Sequence, residues 1–328
     1  MTTVVAAIPR FQIRAYRGTE DLPGMREVYL AAHRADGLDD APSIEQFDLN
    51  YSTLVNCEPT TDVLIAEVDG RQVAYGRVFW TDQVDGGRSY ETFGFVHPDW
   101  RRRGIGTELL RRNEARLREI AAGHEGISPQ WLSSEGADTD EGNRVLLTTA
   151  GYRPVRYFYD MVQPSLATVP SLGLPAGLEA RPVSHDQFRQ IWEALAEAFR
   201  DHWGEPEWTD ADWRRFEANP DHADPSLWRI AWDRDEVAGG VVTTVPAEEN
   251  AEHGRARVYV AMVAIRRPWR RRGLARALLA ESMIAARDAG FTSASLGVDA
   301  DSPTGALSLY ASLGFVTDRT FTAFRKPL

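Results

Sequence analysis

The feature that most constrains this chain is a strand, a basic loop, a glycine and a helix, which occur in that order twice. In the second occurrence Val260 to Ile265 is an apolar run of strand length and Arg266 to Arg272 is a basic loop. Gly273 to Ala289 then places Leu274, Leu278 and Ile284 at helical spacing. In the first, the strand Tyr90 to Val96 leads to Arg101-Arg102-Arg103-Gly104 and a helix carrying Ile105, Leu109, Leu110 and Leu117. A helix begins with backbone N–H groups that have no partner within it, and its dipole directs positive charge at the preceding loop. Such a junction binds phosphate.

The repeat extends well beyond the loops. In each half a short strand (Phe11 to Arg17; Leu178 to Val183) precedes two helices (Met25 to Ala35 and Ile44 to Val55; Asp186 to Arg200 and Asp210 to Ala218). A hairpin follows: Val63 to Val68 with Val73 to Trp80 around Asp69-Gly70, and Trp228 to Trp232 with Val237 to Val245. A second turn is read at Asp85-Gly86-Gly87. After the first loop and helix come a short strand at Trp131 to Ser134, a helix at Glu141 to Ala150, and a last strand from Gly151-Tyr152 to about Val162. Gln163 to Pro175 contains three prolines and reads as a linker. The expected division is a first domain over 1–163, a linker over 164–175 and a second domain over 176–328.

Spacing separates this loop from other phosphate loops. Arg270-x-x-Gly273-x-Ala275 and Arg101-x-x-Gly104-x-Gly106 match neither GxGxxG nor a loop ending in GK[ST]. They resemble motif A of the GNAT acetyltransferases, and Leu309-Tyr310-x-x-x-Gly314-Phe315 is similar to that family's LYxxxGF segment. The likeness covers nearly the whole chain. Within the family it is greatest to the two-domain, mycothiol synthase-like acetyltransferases of actinobacteria, including the run Ala198 to Gly204. The resemblance implies a mixed α/β (α+β) fold of two tandem GNAT domains, each a mostly antiparallel twisted sheet flanked by helices.

It also implies acetyl-CoA as acyl donor. The pyrophosphate is expected on Arg270, Arg271, Arg272, Gly273, Leu274, Ala275 and Arg276, with the pantetheine along Met262, Val263 and Ile265 of a strand splayed by a bulge. The first-half counterparts are Val96, Arg101, Arg102, Arg103, Gly104, Ile105, Gly106 and Thr107. Tyr310 takes the place of the family's proton donor to the departing thiolate. Its first-half counterpart is Leu147, so chemistry is expected in the second half, with the first binding acetyl-CoA or serving as scaffold. Against this, Glu91 lies on the first half's fourth strand, where some relatives carry a general base, and the second half has Arg257 where mycothiol synthases carry a glutamate. His202 is the best remaining base in the second half, since its charge changes near neutrality. Asp201 and Trp203, within an acid-rich stretch that also contains Trp208 and Trp213, are candidate contacts for a cationic amine.

Composition excludes other classes. The 328 residues carry a formal charge of −11, which opposes long-range attraction to nucleic acid or anionic lipid, so basic charge for a polyanionic donor must be local. Cys57 is the single cysteine and reads as a packing residue in a reducing compartment. No apolar run approaches a membrane span, and seven histidines without paired ligand spacing give no metal site. The expected protein is cytoplasmic, a monomer of two pseudo-equivalent halves or a homodimer, and acetylates the primary amine of a small molecule. The alternatives are a catalytically silent CoA-binding sensor or scaffold, and an acetyltransferase for a protein amine.

Overall fold

The computed structural model describes residues 8–328 apart from Asp85, Ile127, Ser128 and Pro303, so Asp85 of the second turn lies outside the described residues. The chain divides into two compact units, Met1–Arg156 with Phe321–Leu328, and Tyr157–Thr320. This is not the division expected at Gln163. The last strand of each repeat leaves the unit built by the rest of that repeat.

The first unit contains β1 (Phe11–Ala15), α1 (Leu22–Ala35), α2 (Ile44–Ser52), a single turn α3 (Pro59–Asp62), β2 (Val63–Val68), β3 (Arg71–Asp82), β4 (Arg88–Val96), α4 (Ile105–Ala122), β5 (Gln130–Ala137) and α5 (Glu141–Thr149). Strand β6 (Arg153–Gln163) begins here and continues into the second unit. A reciprocal capping box between Ser43 and Gln46 starts α2. Asp69 and Gly70 both have positive φ, 51° and 80°, which the two-residue hairpin between β2 and β3 requires. Residues alternate along β3: Tyr75 packs with Met25, Val28 and Phe47 of α1 and α2, while Val78 packs with Leu110 and Leu117 of α4. The sheet is thus covered on both faces.

The second unit contains β7 (Glu179–Arg181), α6 (Phe188–Phe199), α7 (Asp210–Ala218), β8 (Arg229–Asp233), β9 (Glu236–Thr244), α8 (Ala247–His253), β10 (Arg257–Ile265), α9 (Leu274–Asp288), β11 (Ser293–Asp299) and α10 (Ala306–Ser312). It repeats the same plan, with α9 on one face and α6 on the other. Helix α8 joins β9 to β10, a short helix that the sequence pattern did not bring out. Strand β12 (Val316–Pro327) starts in this unit and ends in the first, where Phe321 to Pro327 pair antiparallel with Ala137 to Trp131 of β5. Within the second unit, Phe158 to Gln163 of β6 pair with Asp299 to Ala294 of β11. The proline-containing segment after β6 is packed: Leu166 and Val169 are buried, and the Leu166 N–H donates to the Thr292 carbonyl. No helix among the described residues is long and apolar enough to cross a membrane.

Candidate active site

In both units the fourth and fifth strands run parallel and part early. In the first, β4 and β5 pair from Arg88–Gln130 to Glu91–Ser133 and no further among the described residues. In the second, β10 and β11 pair from Arg257–Ser293 to Tyr259–Ser295. Beyond these rungs, Thr92 to Val96 and Val260 to Ile265 turn an edge of backbone N–H and C=O groups toward an opening. Such an edge accepts an extended amide-bearing ligand as an added strand.

At the mouth of each opening stands the basic loop. Arg102 and Gly104 have φ of 62° and 84°, and Arg271 and Gly273 repeat this at 59° and 81°. The first intrahelical hydrogen bonds run from Glu108 N–H to the Gly104 carbonyl and from Ala277 N–H to the Gly273 carbonyl. The N–H groups of Ile105, Gly106 and Thr107, and of Leu274, Ala275 and Arg276, therefore precede the helical ladder and point out of the helix ends. A Cβ on Gly273 meets nothing within 4 Å, so the positive φ is what requires glycine there.

A cavity of about 710 Å³ in the first unit joins these parts. It is bounded by the open edge of β4, the loop from Arg101 to Thr107, Ser134 of β5, and Leu146 and Leu147 of α5. Lys326, from the final strand, closes one side, with its ammonium donating to Glu114 at 2.6 Å and to the Ala150 carbonyl at 2.9 Å. Apolar walls, an unpaired strand edge and an electropositive helix end fit the pantetheine and pyrophosphate of a coenzyme A thioester.

The arginines divide into two groups. Arg102, Arg103, Arg271, Arg272 and Arg276 are exposed around the loops; Arg103 lies 4.6 Å above the Trp100 ring and Arg272 donates to the Ala176 carbonyl. Arg101 and Arg270 are instead engaged by protein carboxylates, Asp36 and Asp201 respectively. Asp201, read from sequence as a substrate contact, is held by both Arg267 and Arg270, which lower its carboxyl to about 2. It is an ion-pair partner within the protein. Trp208 and Trp213, both half-buried, pack against Trp192 on the α6 face, one ring tilted and the other edge-on, each with its centroid 5.7 Å away.

His202 and Trp203 come to the end of β11. The Trp203 ring lies 6.3 Å from Phe158, whose β6 position pairs with Asp299. Burial draws the His202 imidazole below its ordinary value, partly opposed by Asp299, so the ring is neutral at pH 7. Phe158 was missed from sequence because it lies in the stretch assigned to the first domain. Tyr310 on α10 is only 7% exposed, its ring 5.9 Å from Phe315; burial, with Tyr259 nearby, pushes its hydroxyl up to about 12. It keeps its proton throughout the physiological range. In the first unit Leu147 is buried in the core. Glu91 stands on the last rung before the strands part; burial raises its carboxyl, which accepts a hydrogen bond from the Ser89 hydroxyl. Among the described residues no three His, Cys, Asp or Glu side chains are grouped to hold a metal.

A parting pair of parallel strands with a basic loop and a helix N-terminus at the opening, present in each unit, is the arrangement of an acyl-CoA-dependent transferase fold. The acetyltransferase (GNAT) family profile matches residues 22–128 and 188–315, and this chain belongs to that family. Among similar proteins, a mycothiol acetyltransferase of Geodermatophilus obscurus is 32% identical over 81% of this chain and 82% of its own length. That of Salinispora arenicola is 28% identical over 90% and 91%. Among solved structures, a GCN5-related N-acetyltransferase from Sphaerobacter thermophilus superposes with a TM-score of 0.72 at 27% identity, covering 98% of this chain and 97% of its own. A tandem GNAT protein from the clavulanic acid biosynthesis pathway shares the fold, with a TM-score of 0.68 at 15% identity over 97% and 98% of the two chains. The chain is an N-acetyltransferase with two GNAT repeats.

Proposed function

We propose that the second unit transfers an acetyl group from acetyl-CoA to the primary amine of a small molecule by direct attack, and that the first unit binds the donor without carrying out chemistry. The observation that carries this reading is the pairing of a buried, protonated Tyr310 with the open edge of β10, against Leu147 at the corresponding place in the first unit. In the second unit a backbone N–H of β10 would face the thioester oxygen of a bound donor and support its developing charge. His202, neutral at pH 7, takes the proton of the attacking amine, directly or through water, and Tyr310 supplies one to the departing thiolate. Trp203 and Phe158 form an apolar wall beside the acceptor. The relatives named mycothiol acetyltransferases favour a small-molecule acceptor over a protein amine. The test is release of the CoA thiol from acetyl-CoA across a panel of amines, including amino-sugar conjugates and peptide N-termini. Release with a small amine supports the reading; binding of CoA with no release on any amine favours a silent CoA-binding protein.

A further inference from the structure

The arginine that opens each loop is held by protein atoms, and the same atoms do the holding in both units. Arg101 Nε donates to the Val96 carbonyl at 3.2 Å, Nη1 and Nη2 donate to the Asp36 carboxylate at 2.6 and 2.7 Å, and Nη2 reaches the Ala32 carbonyl at 3.5 Å. Arg270 Nε donates to the Ile265 carbonyl at 2.8 Å, Nη1 to Asp201 at 2.5 Å and Nη2 to the Ala198 carbonyl at 3.2 Å. Each guanidinium thereby ties the end of the fourth strand to the end of the first long helix, α1 or α6.

Three features set these pairs apart from ordinary surface ion pairs. Asp36 is the residue after α1 and Asp201 follows α6 closely, positions where a negative charge works against the helix dipole, so helix stability does not account for them. The residue after each arginine, Arg102 or Arg271, is a non-glycine in the left-handed region, a conformation that must be imposed by its surroundings. Asp36 has a side chain only 9% exposed and grips its partner bidentately, unlike a solvated pair.

We propose that Asp36 and Asp201 are donor-loop positioning residues: each carboxylate fixes the loop-opening arginine, and so the left-handed backbone that aims the helix-terminal N–H groups at the donor's pyrophosphate. This rests on the reading of the loops as acetyl-CoA sites. It also makes α1 and α6 partners of the donor loops, so that a shift of either helix reaches the pyrophosphate site through one side chain.

The sign of the effect separates positioning from simple electrostatics. Removing an acid beside a polyanion site should tighten binding if charge alone matters, whereas loss of positioning weakens it. Calorimetry with CoA measures affinity and stoichiometry. Asp201→Asn is expected to weaken donor binding in the second unit about tenfold, the loss of a charge-assisted contact, with the first-unit site and the unfolding temperature of the ligand-free protein little changed. Asp36→Asn should do the reverse. In turnover assays Asp201→Asn should raise the KM for the donor and leave kcat near its original value. If an aspartate variant fails to fold, the matching arginine variant replaces it: Arg270→Lys for Asp201, or Arg101→Lys for Asp36, keeps the charge but loses the fork and should weaken donor binding at the same site. Unchanged or tighter binding overturns the proposal, as does a fall in unfolding temperature without a change in affinity. If the unsubstituted protein binds no CoA, the donor reading itself falls.

Discussion

The two openings share a backbone plan and differ in what stands at their vertices. On the last parallel rung the first unit has Glu91 opposite Ser133, and the second has Tyr259 opposite Ser295. Beyond that rung, β10 has a register shift against β9 between Val260 and Met262, whereas β3 and β4 pair without interruption from Asp82–Arg88 to Ala74–Val96. The extra residue, Ala261, bends β10 and changes which side chains face each side; β4 opens without it. A bulge is therefore not needed to part the strands, but it accompanies the half that has the tyrosine. The loop, its glycine and the aspartate–arginine tie recur in both halves, while Tyr310 and Leu147 differ at corresponding places.

The largest test of this asymmetry is Tyr310→Phe. Removing the proposed proton donor should lower turnover about 10²–10⁴-fold while donor affinity stays near its original value, because the ring still fills its buried place. Turnover by the variant at the original rate would shift attention to the first unit. Next in size are Gly273→Val and Gly104→Val. A β-branched residue at φ near +80° costs about 1–3 kcal/mol of backbone strain, enough to weaken donor binding about tenfold or more at the affected loop. Calorimetry should show each substitution weakening its own site, with kcat/KM lost only for Gly273→Val.

A smaller effect should follow pH. The proposed base His202 can accept a proton only when neutral, and its value lies below the usual 6.5, so kcat/KM should fall as pH drops through that lowered value and be flat through neutrality. Tyr310, pushed up to about 12, keeps its proton through neutrality and adds no alkaline limb there. His202→Gln should abolish the acid limb; an unaltered profile would remove His202 from the mechanism. The smallest effect is expected from Glu91→Gln. Glu91 has a folded-state carboxyl raised above its unfolded value, so the folded protein binds more protons and loses stability as pH rises from the unfolded value through the raised one. Thermal unfolding of Glu91→Gln should lack that decline, with turnover little changed. A collapse of turnover would instead make the first unit the catalytic half.

Much of the fold was legible because its signals are local. Asp69-Gly70 demands one turn type, Gly104 and Gly273 occupy positions that positive φ reserves, and apolar spacing marks the helices that follow. The repeat, the phosphate loops and the contrast between Tyr310 and Leu147 follow from residue identity and order. Tertiary structure decided which strand completes which sheet: ladder hydrogen bonds are indifferent to sequence distance, and Phe321 to Pro327 pair with β5 far back in the chain. It also decided the role of charge. Arg270 and Asp201 are 69 residues apart, and Arg101 and Asp36 are 65, so nothing in the local sequence marks either acid as the partner of a loop arginine. Only folding brings those side chains within hydrogen-bonding distance, and it makes Asp201 part of the donor loop's support.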